Sequence, residues 1–395
     1  MKVLIYRYGS ICEPDIISGF KTLGFSVSQI TEEITNKNLT WSDSIKLVSE
    51  FLLDNTQDFV FSINFFPQLS EVCNIFHIRY ISWIVDSPVM ELYTASIQNS
   101  CNRIFIFDRE QFNNIRPFNP DCIFHFPLAV NIAQKQAAIS NASDDDKHKH
   151  TSDVSFVGSL YTEKCPYDKL ENLPDYVNGY LNGIMNAQLK IYGAYIIDDV
   201  LTDDIISQFK THMPSFYQSP IKNFLTDKDI VSQLYIGNKL SSLERIQVFD
   251  ILSHNFSVDL YTGSDTSSLP YVHNRGFAKT LTEMPIIFHE SKINLNITSK
   301  AIRSGIPLRV FDIFACEGFM LSNYQTELCE LFEAGTDFDF YSSYDELIDK
   351  THYYLEHASI RKEMAHSAFE KVSENYNYPL RLCQLVELAY SNNNV

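Results

Sequence analysis

An arginine and an aspartate interrupt an otherwise apolar run after "GIP" at 305–307. Residues 308–317, "LRVFDIFACE", read as a helix built for burial, with Arg309 in its first turn and Asp312 three residues on along the same face. Pro307 marks the first helical position, where a missing N–H costs nothing. A cation in a first turn opposes the helix dipole, at a cost of ~0.3–1 kcal/mol at an exposed site. An anion reverses that sign. A diphosphate would take both the free N–H groups and the guanidinium fork, and Asp312 would accept from vicinal hydroxyls. An Arg–Asp pair on the one solvated stripe of a buried helix fits the same spacing.

Such residues need a frame. In the first 130 residues, apolar runs of strand length recur at 3–6, 59–63, 80–85, 103–107 and 122–126, separated by helical spacing such as Ile16, Ile17, Phe20 and Leu23 before a capping Gly24. Strands apolar on both faces and alternating with helices imply a parallel sheet covered on both sides, a Rossmann-like α/β domain. Residues 133–152 are polar and rich in Ser, Asp, Lys and His, which predicts a linker or exposed loop. A second set of strands follows at 154–161, 189–193, 257–263, 293–298, 319–324 and 338–341. Helical signals dominate about 165–250, a helical insertion in the second sheet, and 343–391 read as helix throughout. The expected domains are 1–132, 153–380, and a C-terminal helix and tail at 381–395. The carboxyl edges of two such sheets are expected to face one cleft.

Composition narrows the function classes. The chain has 395 residues, 45% hydrophobic and 20% charged, with a formal net charge of −18. So acidic a surface repels nucleic acid and anionic lipid. Eight cysteines without a CxxC pair predict reduced thiols, and no apolar stretch approaches the ~20 residues that span a bilayer. With no secretory leader pattern at "MKVLIYRYGS", a cytoplasmic location without a transmembrane segment is expected.

Residues 291–328, "SKINLNITSKAIRSGIPLRVFDIFACEGFMLSNYQTEL", resemble the C-terminal half of CgeB-like glycosyltransferases, bacterial members of the wider group of GT-B enzymes. The first half is similar to their N-terminal domain at "DFVFSINFFPQLSEVC" (58–73), "YISWIVDSPVMELY" (80–93), "IFIFDRE" (104–110) and "HFPLAVN" (125–131), with "FVGSLY" (156–161) and "DLYTGSD" (259–265) between. The resemblance implies two Rossmann-like domains, a nucleotide-sugar donor (a UDP-sugar by default) held by the second, and acceptor contacts from the first. It implies a hexosyl- or N-acetylhexosaminyltransferase acting on a glycan or protein, such as a surface polysaccharide or flagellin. Asp312 matches the acidic position that holds the nucleotide ribose, as Asp where Glu is common. "ACEGF" (315–319) stands where "GCGGF" is expected, so Glu317 replaces a glycine.

On that reading further residues acquire roles beside plain alternatives. Gly158 and Ser159, after a strand, present N–H groups to phosphate or form a strand-end turn. Tyr261 and Gly263 line the base or ribose pocket. Asn296 and Thr298 share one face of a strand near its end, and Lys300 lies just before the helix. Asp86, at the end of the strand 80–85, is the candidate general base for the acceptor hydroxyl or, alternatively, a turn cap before Pro88. The acidic runs "DFD" (337–339) and "DDDKHKH" (144–150) have poor context for metal binding, so no metal and no cofactor are expected. A nucleotide-sugar epimerase, or an inactive module that binds the nucleotide sugar, would share this architecture.

Overall fold

The computed structural model describes residues 1–163, 165–219 and 221–391. Six strands, β1 (Lys2–Tyr6), β2 (Ser26–Ile30), β3 (Phe59–Ile63), β4 (Arg79–Ile84), β5 (Asn102–Ile106) and β6 (Ile123–His125), form an all-parallel sheet in the order β2-β1-β3-β4-β5-β6. Six more, β7 (Ser152–Val157), β8 (Val258–Tyr261), β9 (His273–Asn274), β10 (Ser291–Asn296), β11 (Met320–Asn323) and β12 (Asp339–Tyr341), form a second parallel sheet in the order β12-β11-β10-β7-β8-β9. Strands such as β3 and β5 are buried along their whole length, as sheets covered by helices on both faces require. Each sheet reverses its strand order once, between β1 and β3 in the first and between β7 and β10 in the second. The crevice beyond the carboxyl ends at such a reversal is where open α/β sheets bind ligands.

The chain divides into two compact units. The first comprises 1–130, 219–224 and 375–395; the second comprises 131–218 and 225–374. Residues 133–152 are therefore not a linker. They form the helices Ile132–Ser140 and Asp144–Lys149, which pack on the helix Met284–Glu290 and bury Lys135 and Ile139. Their polar composition misled because Lys135 is buried as half of an ion pair. The C-terminal helix runs Tyr378–Ser391 and packs in the first unit on the helix Glu13–Thr22. Gly19 permits that approach, since a Cβ there would lie 2.6 Å from Leu382 Cδ1. Residues 189–193 are not a strand: Leu189 ends the helix Asp175–Gln188, and Gly193 at φ +75° turns the chain. Among the described residues between β7 and β8 lie helices and no strand, with a core of their own that includes Val177, Leu181, Phe209, Tyr235 and Leu240.

The turn after β1 closes on itself. Glu13 Oε1 accepts from the backbone N–H groups of Tyr8, Gly9 and Ser10 at 2.8, 3.0 and 3.1 Å, and Oε2 accepts from Arg7 Nε at 3.0 Å. Successive backbone N–H groups in such a turn form an anion cradle. Here a side chain of the same domain already occupies it.

Candidate active site

The second sheet's reversal point holds two guanidiniums. Arg245 lies on the helix Gly237–Ser253 and is almost fully buried. It donates through Nη1 to Ser159 O and through Nη2 to Ile297 O at 2.8 Å, fastening the chain just past β7 to the chain just past β10. Its Cζ lies over the rings of Tyr161 at 4.4 Å and Phe156 at 5.1 Å. Arg309 stacks on Phe156 as well, at 4.8 Å, and its guanidinium fills the space against Gly158: a Cβ there would meet Arg309 Nη2 at 2.4 Å. With φ +152°, Gly158 also adopts a backbone that side chains rarely tolerate.

Among the described residues neither cation has a carboxylate in contact, and Arg309 makes no hydrogen bond or ion pair. Burial, and then the neighbouring Arg245, push Arg309 down to about 10; burial likewise pushes Arg245 down. Both remain charged at neutral pH. Two half- to fully buried like charges with spare N–H donors form a receptor for a multiply charged anion.

The helix Leu308–Ala315 begins beside them, with Pro307 as its N-cap instead of its first helical residue. It is two residues shorter than the spacing predicts. The C-terminus closes with Glu317 N donating to Phe314 O at 3.0 Å and Gly318 N to Ile313 O at 3.1 Å, with Glu317 left-handed at φ +53°. That position favours glycine, and the Glu317 side chain turns to His366 Nδ1 at 2.8 Å. Gly318 is required in its place: a Cβ would lie 2.5 Å from Phe288 O.

The other expected residues divide. Asp312 does not pair with Arg309; its Oδ1 lies 2.9 Å from buried Lys135 Nζ. Gly158 N is not offered to a ligand, because it donates to Tyr261 O at 3.0 Å, and Ser159 Oγ accepts from Tyr161 N at 2.7 Å. Tyr261 is buried with its hydroxyl 3.3 Å from His150 Nδ1. Gly263 is exposed, and nothing lies where its Cβ would be. Asn296 and Thr298 are buried and bonded inward: Asn296 Nδ2 donates to Thr298 Oγ1 at 3.0 Å and Ser322 Oγ at 2.9 Å, and Thr298 N donates to Asn323 Oδ1 at 2.9 Å. Lys300 Nζ lies 3.3 Å from Glu244 Oε1 and 4.0 Å from the Tyr192 ring centre. These residues shape the strand ends on which the guanidiniums rest.

Arg245 is absent from the sequence reading. The available signal was "LERIQVF" (243–249), where Glu244 and Arg245 fall on the stripe that also carries Val248 and Phe249. In the first unit, Asp86 is exposed after β4 and accepts from Asn64 Nδ2 at 2.7 Å. The "DFD" carboxylates are committed elsewhere: Asp337 to Lys371 and Ser367, Asp339 to Lys350 and Tyr354. A cavity of about 590 Å³ in the first unit, lined in part by Asp58, Arg79, Arg103 and Tyr390, opens at the amino ends of its strands, opposite the ligand-binding edge.

Residues 247–387 match the family model described as glycosyl transferase-like. No curated protein matches the sequence. Among solved structures, a glycosyltransferase from Rickettsia africae superposes with a TM-score of 0.55 at 11% identity, covering 100% of this chain and 99% of that one. HepE from Anabaena, in complex with UDP and glucose, gives 0.54 at 11% identity over 99% and 100%. Sucrose-phosphate synthase from Thermosynechococcus elongatus gives 0.55 at 8% identity over 99% of each. The fold is GT-B.

Proposed function

We propose that this protein is a glycosyltransferase that moves a hexosyl or N-acetylhexosaminyl group from a nucleotide sugar, by default a UDP-sugar, to a hydroxyl of a glycan or protein acceptor, in the cytoplasm and without a metal ion. The observation that carries the reading is the pair Arg245 and Arg309, stacked on Phe156 at the β7/β10 reversal with no carboxylate of the described residues in contact. A donor diphosphate is the anion that suits two converging cations. As the sugar–phosphate bond breaks, charge grows on the leaving diphosphate, and fixed cations in a poorly solvated site stabilise it without reorganising. The family match over 247–387 and the UDP and glucose held by the Anabaena protein support the same donor class.

In this reading Arg309 and Arg245 bind the diphosphate. Asp312, steadied by Lys135, accepts from the ribose hydroxyls, Gly158 lets the guanidinium approach, and Ser159, Tyr261, Gly263, Asn296, Thr298 and Lys300 frame the pocket. A CgeB-like role in bacterial surface polysaccharide or flagellin modification is compatible with it. Calorimetry with UDP tests the core of it. Arg309→Ala should lose ~1.5–3 kcal/mol, roughly ten- to a hundredfold in affinity, while remaining folded. Unchanged affinity in the folded variant would remove the diphosphate role. Activity lost to EDTA and restored by manganese would refute metal independence.

A further inference from the structure

The first sheet's reversal point, between β1 and β3, holds no free cradle for an anion, because Glu13 fills it. What does stand there is Asn64, one residue past β3, with every polar group engaged. Its N–H donates to Trp83 O at 2.9 Å, and its carbonyl accepts from Ser62 Oγ at 2.7 Å. Its Oδ1 accepts from Val85 N at 3.0 Å, and its Nδ2 donates to Tyr8 OH at 3.0 Å and to Asp86 Oδ2 at 2.7 Å. The backbone is left-handed, φ +56°. Asn tolerates this better than most residues, although strain of this kind persists only where surroundings impose it.

Five hydrogen bonds thus fix one strained residue, and one of them holds an exposed carboxylate. A solvated surface aspartate gains little from such fixing. A carboxylate that must meet a reacting hydroxyl at one angle gains much. We infer that Asn64 is a positioning residue that aims Asp86 at the acceptor hydroxyl in the transfer reaction. The proposal rests on the transferase reading above. Asn64 holds Oδ2, leaving Oδ1 to receive the proton. The acceptor oxygen bonds to the anomeric carbon as its proton passes to Asp86, and the sugar–phosphate bond breaks with its electron pair leaving on the nucleoside diphosphate. With the adjacent cradle already holding a carboxylate, the group received here is a neutral hydroxyl and not a phosphate.

The titratable groups around Asp86 are Tyr8, whose phenol is pushed up by burial and then by the Asp86 charge, and Asp108, which accepts from Ser87 Oγ at 3.2 Å one residue along. Glu13 and Arg7 lie beyond Tyr8 and are paired with each other. Two variants separate positioning from folding. Asn64→Gly suits the left-handed backbone and removes all the side-chain bonds. Asn64→Asp keeps the shape and sets a second carboxylate against the first. UDP release from UDP-glucose, UDP-galactose and UDP-N-acetylglucosamine is followed against pH with the donor that the wild type turns over fastest, beside calorimetric UDP affinity.

Asn64→Gly should lower kcat roughly ten- to a hundredfold with UDP affinity unchanged. Asn64→Asp should move the acid limb of the kcat profile upward by about one pH unit, since adjacent carboxylates resist joint ionisation. Asp86→Asn should abolish turnover. If Asp86→Asn is inactive while both Asn64 variants keep wild-type kcat and pH profile, the positioning role is overturned and the transferase reading stands. If the wild type neither binds UDP nor releases it from any of the three donors, the transferase reading falls and takes this proposal with it.

Discussion

Arg309 keeps its charge at neutral pH against two opposing effects, burial and the adjacent Arg245, which together push it down to about 10. The sign follows. A cation whose folded pKa lies below its unfolded value costs stability wherever the folded form is protonated, and the cost fades only as pH rises through about 10. At neutral pH the unliganded protein bears it in full. Arg309→Gln should therefore melt no lower than wild type without ligand and gain less from saturating UDP, as thermal-shift measurements would show. Gly158→Ala should weaken UDP binding and lower stability as well, because the added Cβ displaces the end of Arg309 and the φ of +152° strains any side chain. Arg309 was legible in the sequence as a charge intruding on an apolar helix. The plain alternative, a pair with Asp312, does not form. Asp312 sits one turn away but pairs with Lys135, and nothing in a polar segment 170 or so residues upstream announces that its lysine is buried.

Elements were more legible than their contacts. The buried parallel strands β1, β3, β4, β5, β7, β8, β10 and β11 are read from apolar runs, because burial on both faces leaves a continuous signal. The edge strand β2, "SVSQI", is half solvated and alternates weakly, so the sequence reading passes over it, and "LKIYG" carries a strand's composition in a turn. Glu317 shows the same limit: the left-handed cap leaves no mark when its residue is not glycine. Glu317→Gly should relieve about 1 kcal/mol of backbone cost while losing only an exposed, solvent-screened pair with His366. Chemical denaturation should then place the variant level with wild type or up to about 1 kcal/mol more stable, with UDP affinity unchanged. Asp337 ties the approach to β12 to the helix Ala358–Asn375. Burial pushes it up, but Lys371, Glu333 N–H and Ser367 outweigh that and hold it below the usual carboxylate range. Its contribution is present above the unfolded value near 4 and is lost as pH falls through the lower folded value. Asp337→Asn should cost ~1–3 kcal/mol at pH 7, and the gap from wild type should close in acid.

For the whole molecule, the linear order of the chain is not its order in space. The first unit is completed by residues 375–391, whose Leu382, Leu385, Val386 and Ala389 are buried. Each large aliphatic side chain so removed forfeits ~1.5–3 kcal/mol, so a chain ending at Glu374 should lose the fold of its first unit while the second persists, and calorimetry should show only the second unit's transition. Hydropathy cannot report this, because an amphipathic helix reads alike whichever core receives it. The two sheets share a winding but differ at the first turn after their founding strands. Beyond β7 that turn rests against guanidiniums that no carboxylate of the described residues neutralises; beyond β1 it is already bound to the carboxylate of Glu13. An acceptor carried four residues along the same chain acts at an effective concentration far above any dissolved phosphate, roughly millimolar to molar for short tethers. The first sheet is thus saturated by its own sequence. Two nucleotide-binding folds should titrate as one site, with a stoichiometry of one UDP per chain.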